Sequence, residues 1–101
     1  MQKPDADNSS DFRIFETNAF MDELVALPPQ AVLFLRRKLT EYVYPQLRRD
    51  PYFGVNIKKL RGYAPATWRY RIGKFRVFFI VDPKEKIVFV LSVDYRRDAY
   101  R

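Results

Sequence analysis

A chain of 101 residues without a single cysteine or histidine has the length of one domain and lacks the side chains for a disulfide framework, a zinc or iron–sulfur site, or a Ser-His or Cys-His nucleophile. Nineteen Lys/Arg against twelve Asp/Glu give a net charge of +7, unevenly spread: fourteen basic and five acidic residues lie from Arg48 onward, five and seven before it. A positive C-terminal half points to nucleic acid, an acidic protein partner, or both, although a merely soluble basic surface has the same composition.

Residues 1–11 are polar and acidic and read as a mobile tail ahead of a single domain over residues 12–101. They lack the basic-then-apolar order of a secretion signal, and no apolar run approaches the ~20 residues that span a bilayer, so a cytoplasmic location is expected. Phe12 to Phe15 alternates like a first strand. Asn18 is placed to cap a helix running to Leu27, with Phe20, Met21, Leu24, Val25 and Leu27 on its apolar side, and Pro28-Pro29 ends it. From Gln30 to about Tyr44, Val32, Leu35, Leu39, Tyr42 and Val43 recur at three and four, which predicts a second amphipathic helix, kinked or ended by Pro45. Residues 48–54 form a basic loop, and Ile57 and Leu60 anchor a turn before Arg61-Gly62.

The last third carries most of the information. Thr67–Ile72 and Phe75–Val81 are strands joined by Gly73-Lys74, and a two-residue hairpin loop sets Ile72 opposite Phe75, Arg71 opposite Arg76 and Arg69 opposite Phe78. Directly opposed like charges destabilise a sheet by roughly 0.2–1 kcal/mol, so the Arg71–Arg76 pair calls for a compensating anion. After a second turn at Asp82-Pro83-Lys84-Glu85, Ile87–Val93 is apolar on both faces, as a central strand would be. Pairing Val81 with Ile87 puts Arg76 opposite Ser92 and carries that face through Asp94 to Arg96; a one-residue slip would send Arg96 to the other side. The fold expected is α+β: an N-terminal strand, a helical hairpin and a three-stranded antiparallel meander, forming one four-stranded sheet with helices on one face.

Arg69, Arg71, Arg76 and Arg96 would then share a sheet face, with Tyr100 near them at the chain end. Guanidinium forks bind phosphate oxygens in bidentate fashion and stay charged at physiological pH, so the cluster reads as a phosphate site; solvated strand residues are the plainer alternative. Trp68 and Tyr70 alternate to the opposite face and belong to the core. Tyr95 and Tyr100 are expected beyond the last strand, where a ring stacks on an unpaired base or plugs the sheet edge. Lys58, Lys59, Arg61, Lys74 and Arg97 supply electrostatic contacts to an RNA backbone or are simply solvated.

Lys59-Leu60-Arg61-Gly62, Arg69-x-Arg71, Gly73-Lys74-Phe75-Arg76-Val77 and the closing Val93–Arg101 segment, in that order, resemble the RelE branch of the RelE/ParE toxin superfamily from toxin–antitoxin pairs. Leu27-Pro28 and Asp50-Pro51 are similar too, so the resemblance runs from about Phe12 to the end. It implies a toxin that enters the ribosomal A site and cuts messenger RNA by attack of a 2′-hydroxyl on the adjacent phosphorus, without a cofactor, until an acidic antitoxin covers it. Position by position it carries catalytic roles to Arg69, Arg71, Arg76, Arg96 and Tyr100. The chain departs from many relatives in having Asp94-Tyr95 in place of Gly-His, and arginine, with a pKa above about 12, is a poor general base. Two further readings share the fold: a ParE-like inhibitor of DNA gyrase that cuts no RNA, which Arg96 and Tyr100 disfavour, and a non-enzymatic module whose basic groove only holds an acidic antitoxin.

Overall fold

The computed structural model describes residues 11–95. The expected tail, apart from Asp11, and Arg96, Arg97 and Tyr100 lie outside the described residues. A strand β1 (Arg13–Glu16) leads into helices α1 (Asn18–Val25) and α2 (Pro29–Lys38), a π turn (Leu39–Val43) and helix α3 (Tyr44–Arg49). Four strands follow: β2 (Ile57–Lys59), β3 (Trp68–Ile72), β4 (Phe75–Asp82) and β5 (Ile87–Tyr95). They form one sheet in the order β1-β5-β4-β3-β2, antiparallel except for the parallel β1–β5 pair.

The sheet therefore has five strands where four were expected. Ile57–Lys59 pairs with Trp68–Tyr70 as a short edge strand, which three residues without an alternating apolar pattern do not announce. The cap of α1 is Thr17, one residue before the Asn18 predicted from sequence: its hydroxyl accepts from the Phe20 amide at 3.2 Å and donates to the Val90 carbonyl at 2.9 Å. Pro45 neither ends nor breaks the second helix. The π turn before it bonds the Tyr44 amide to the Leu39 carbonyl, and Pro45 then occupies the first turn of α3, a position that tolerates its missing donor. The wider turn keeps Leu35, Leu39 and Val43 in the core and turns Tyr42, expected in the same apolar stripe, 60% exposed toward solvent.

Among the described residues, helices cover one face only. Phe20, Leu24, Leu35, Leu39, Val43 and Leu47 pack on Tyr70, Ile72, Phe75, Val77, Phe79, Val88 and Val90, with Trp68 against the same core as its alternation requires. Glu16, at the end of β1, locks the layers together: it accepts from Arg36 Nη1 at 2.6 Å, Arg36 Nη2 at 2.9 Å and the Tyr44 hydroxyl at 2.5 Å. These bonds, the Arg36 fork first, hold the Glu16 carboxyl below the usual glutamate range, while burial and the same carboxylate push the Tyr44 hydroxyl up.

Candidate functional site

The β3–β4 hairpin has the register its sequence predicts: Ile72 opposite Phe75, Arg71 opposite Arg76, Arg69 opposite Phe78. Gly73 opens the turn at φ +60°, a conformation that favours glycine. With Tyr70, Ile72, Phe75 and Val77 buried beneath the helices, alternation puts Arg69, Arg71 and Arg76 on the other face, which no helix of the described residues covers. Lys58 joins them, because β2 sets it opposite Arg69. Two rows result across the sheet: Lys58, Arg69, Phe78 and Ser92, then Arg71, Arg76 and Asp94.

The β4–β5 pairing corrects the expected register. Val81 faces Val88 and Arg76 faces Asp94, not Ile87 and Ser92. The turn closes one residue differently, and the ladder skips Leu91, since Phe79 pairs with Val90 and Phe78 with Ser92. The two single-residue shifts add, so parity is restored and Ser92 and Asp94 still fall on the arginine face. Thr17 and Glu23 take up backbone groups at this irregularity: the Thr17 hydroxyl meets the Val90 and Leu91 carbonyls at 2.9 and 3.4 Å, and Glu23 Oε1 accepts from the Val93 amide at 2.9 Å. Tyr95 proves to be the last residue of β5, opposite Phe75, and its ring packs on Phe75 with centroids 5.0 Å apart. That side of the strand faces the helices, so this ring is no free stacking platform.

Burial and the neighbouring cations Arg76 and Arg71 pull the Arg69 guanidinium below its ordinary pKa, from so high a starting point that it remains charged at neutral pH. Arg69 Nη1 donates to the Asn56 carbonyl at 3.1 Å, and the same oxygen accepts the Arg71 amide at 3.0 Å. Asn56, in the loop before β2, thus aims Arg69; no periodic or charge signal marks it in the sequence. Among the described residues no carboxylate forms an ion pair with Arg69, Arg71 or Arg76. The basic run on α2 has neighbours of its own: Arg36 binds Glu16, Arg37 lies 3.6 Å from Glu41, and Lys38 sits over the Phe34 and Tyr42 rings.

The supporting cations divide. Lys59 pairs opposite Trp68, with its ammonium 5.9 Å from that ring's centroid, on the alternate side from Arg69. Arg61 is exposed in the turn after β2, and Lys74, at the hairpin tip, borders an apolar hollow with Phe34, Phe75 and Tyr95. Neither is brought into the arginine rows. No group of acidic residues among those described is arranged to hold a metal ion, and no helix of the described residues is long and apolar enough to cross a membrane.

A five-stranded sheet with helices on one face and a basic row on the other defines a RelE-like fold. The chain is 33% identical over 87 residues to toxin RelG of Mycobacterium tuberculosis, covering 86% of this chain and 92% of that protein. It belongs to the RelE-like toxins of toxin–antitoxin systems. The crystal structure of the toxin–antitoxin complex RelBE2 from the same organism superposes with a TM-score of 0.67 at 27% identity over 87% of this chain and 94% of that one. A YoeB/ParE toxin from Agrobacterium tumefaciens shares the fold at TM-score 0.66 and 16% identity, over 84% and 99% of the two chains. No protein-family model matches the sequence.

Proposed function

We propose that this toxin is a ribosome-dependent endoribonuclease that cleaves messenger RNA in the A site and so halts translation in the cytoplasm. The observation that carries the reading is the Arg71–Arg76 pair, two guanidinium groups opposed across a ladder with Arg69 beside them and no ion-paired carboxylate among the described residues. Such a pair is unfavourable by itself and becomes favourable when a phosphate lies between the forks.

The reaction is an in-line displacement. The 2′-oxygen forms a bond to the adjacent phosphorus, the bond to the 5′-oxygen breaks, the 2′-proton leaves to base or solvent, and the 5′-oxygen gains a proton, giving a 2′,3′-cyclic phosphate and a 5′-hydroxyl. Arg71 and Arg76 neutralise the phosphorane, whose charge exceeds that of the ground state, so their attraction is strongest where it lowers the barrier. Arg69, aimed by Asn56, positions the phosphate. Arg96 and Tyr100, by family resemblance, stabilise the leaving oxygen and orient the 2′-hydroxyl, and Lys58 extends the basic row toward the RNA backbone. Catalysis in this reading is electrostatic and needs no histidine.

An acidic antitoxin is the natural inhibitor. The uncovered sheet face places the apolar Phe15, Phe78, Ile80 and Phe89 beside the arginine rows, with the Phe15 and Phe89 rings 5.7 Å apart, a surface suited to a partner chain bearing both apolar and acidic side chains. The test is incubation of the purified toxin with a defined messenger RNA, with and without ribosomes carrying an empty A site, followed by primer extension. Cuts inside the A-site codon only with ribosomes support the reading; absence of cuts from folded protein in both tubes turns it toward gyrase or toward a binding-only module.

A further inference from the structure

An open cleft of about 850 Å³ separates the helical layer from the outer end of β3, where β2 has stopped and Ile72 has a strand on one side only. One wall is a helix face with Phe34, Lys38 and Tyr42 at steps of four, the Lys38 ammonium 5.8 Å from the first ring centroid and 5.0 Å from the second. Phe53, in the loop after α3, lines the space too, as do Arg71 and Arg49. Phe34 is 41% exposed, Tyr42 60% and Phe53 75%. Three large rings exposed around one cleft form the kind of apolar patch that marks an interaction site.

The loop wall is held in place. The Tyr70 hydroxyl donates to Gln46 Oε1 at 2.7 Å, and Gln46 Nε2 donates to the Phe53 carbonyl at 2.9 Å. Gly54 permits the approach, since a Cβ there would lie 2.0 Å from Gln46 Nε2. Among the lining residues Lys38, Arg49 and Arg71 face one carboxylate, Asp50, which already accepts the Tyr52 amide at 2.9 Å. Exposed rings interleaved with cations are what a single-stranded nucleic acid needs, stacking on the rings and phosphate contacts from the cations.

Arg71 belongs both to this cleft and to the arginine row. We infer that the cleft is the channel for the nucleotides flanking the cleaved phosphate, with a base stacked on Phe53 against Tyr42 and a flanking phosphate held by Lys38 and Arg49. The inference rests on the nuclease reading of Arg71 and Arg76 and adds a base-binding subsite to it.

The test is fluorescence anisotropy of a labelled, uncleavable 2′-O-methyl RNA octamer with the full-length toxin at fixed low salt. Phe53→Ala and Tyr42→Ala should each weaken binding about 5- to 150-fold, the loss that one stacked base produces. Both rings are exposed, so unchanged melting temperatures will certify the fold. A 2-aminopurine beside the scissile position should be quenched by wild type and not by Phe53→Ala. Full affinity in both ring variants, with loss in Arg76→Ala, overturns the cleft while leaving the arginine reading intact. Weakened antitoxin binding with unchanged RNA affinity overturns it in favour of a protein-docking groove. Failure of the wild type to bind the octamer overturns the cleft and leaves the A-site reading to the primer-extension test.

Discussion

Arg71 and Arg76 stand directly opposite each other across the β3–β4 ladder, one exposed and one half-buried, and the hairpin turn two residues away allows them no other register. The sheet thus holds a like-charge cross-strand pair next to its two-residue turn, where a slip of register is least available to relieve it.

That opposition separates stability from activity. Arg76→Ala should lower the rate of A-site cleavage by about 10²-fold or more, as loss of a preorganised charge at a developing anion does, while the melting temperature stays level or rises slightly because a like-charge repulsion is removed. A variant that melts earlier and cleaves normally would show that Arg76 is structural.

Binding of single-stranded RNA should weaken steeply with salt, and each cation removed from the row should flatten the dependence. For Arg69→Gln the slope of log K against log salt should fall by about 0.7, the value for one lost contact to a single strand. A salt titration of both proteins reads this directly, and identical slopes would exclude a phosphate contact by Arg69.

Glu16 should make stability pH-dependent on the acid side. Its carboxyl titrates below the ordinary 4.5 in the folded chain, so its contribution is complete above that value and is lost as pH falls through the lower folded-state value. Glu16→Gln should destabilise by about 1–2 kcal/mol at pH 7, the low end for charged hydrogen bonds because Arg36 is partly exposed, and its urea midpoint should converge on that of wild type in acid. A gap that stays constant with pH would mean that the fork contributes no charge-dependent stability.

Gly54→Ala should lower stability by about 1–2 kcal/mol, because the new methyl displaces Gln46 and leaves the largely buried Tyr70 hydroxyl without its acceptor. The effect should not add to that of Gln46→Ala, since both break the same bonds. A double-mutant cycle by urea denaturation measures it; full additivity would mean that the loop is not anchored through Gln46.

The sequence by itself determined whatever depends on neighbours along the chain. Alternation on either side of Gly73-Lys74 specified which arginines share a face, and the spacing of Leu35, Leu39 and Val43 specified the helix side that enters the core. Tertiary structure decided what distant segments impose on one another. The skipped Leu91 depends on Thr17 and Glu23 reaching across from the first helix, β2 exists because β3 offers it an edge, and the π turn lets a helix continue through Pro45 while swinging Tyr42 into the cleft. Asn56 and Gln46 acquire their roles only when the loop they organise is laid against β3. Apart from the π turn and the Gln46–Phe53 bond, which are local, these are hydrogen bonds or packing contacts between residues far apart in sequence, and neither periodicity nor turn chemistry carries a signal for such a contact.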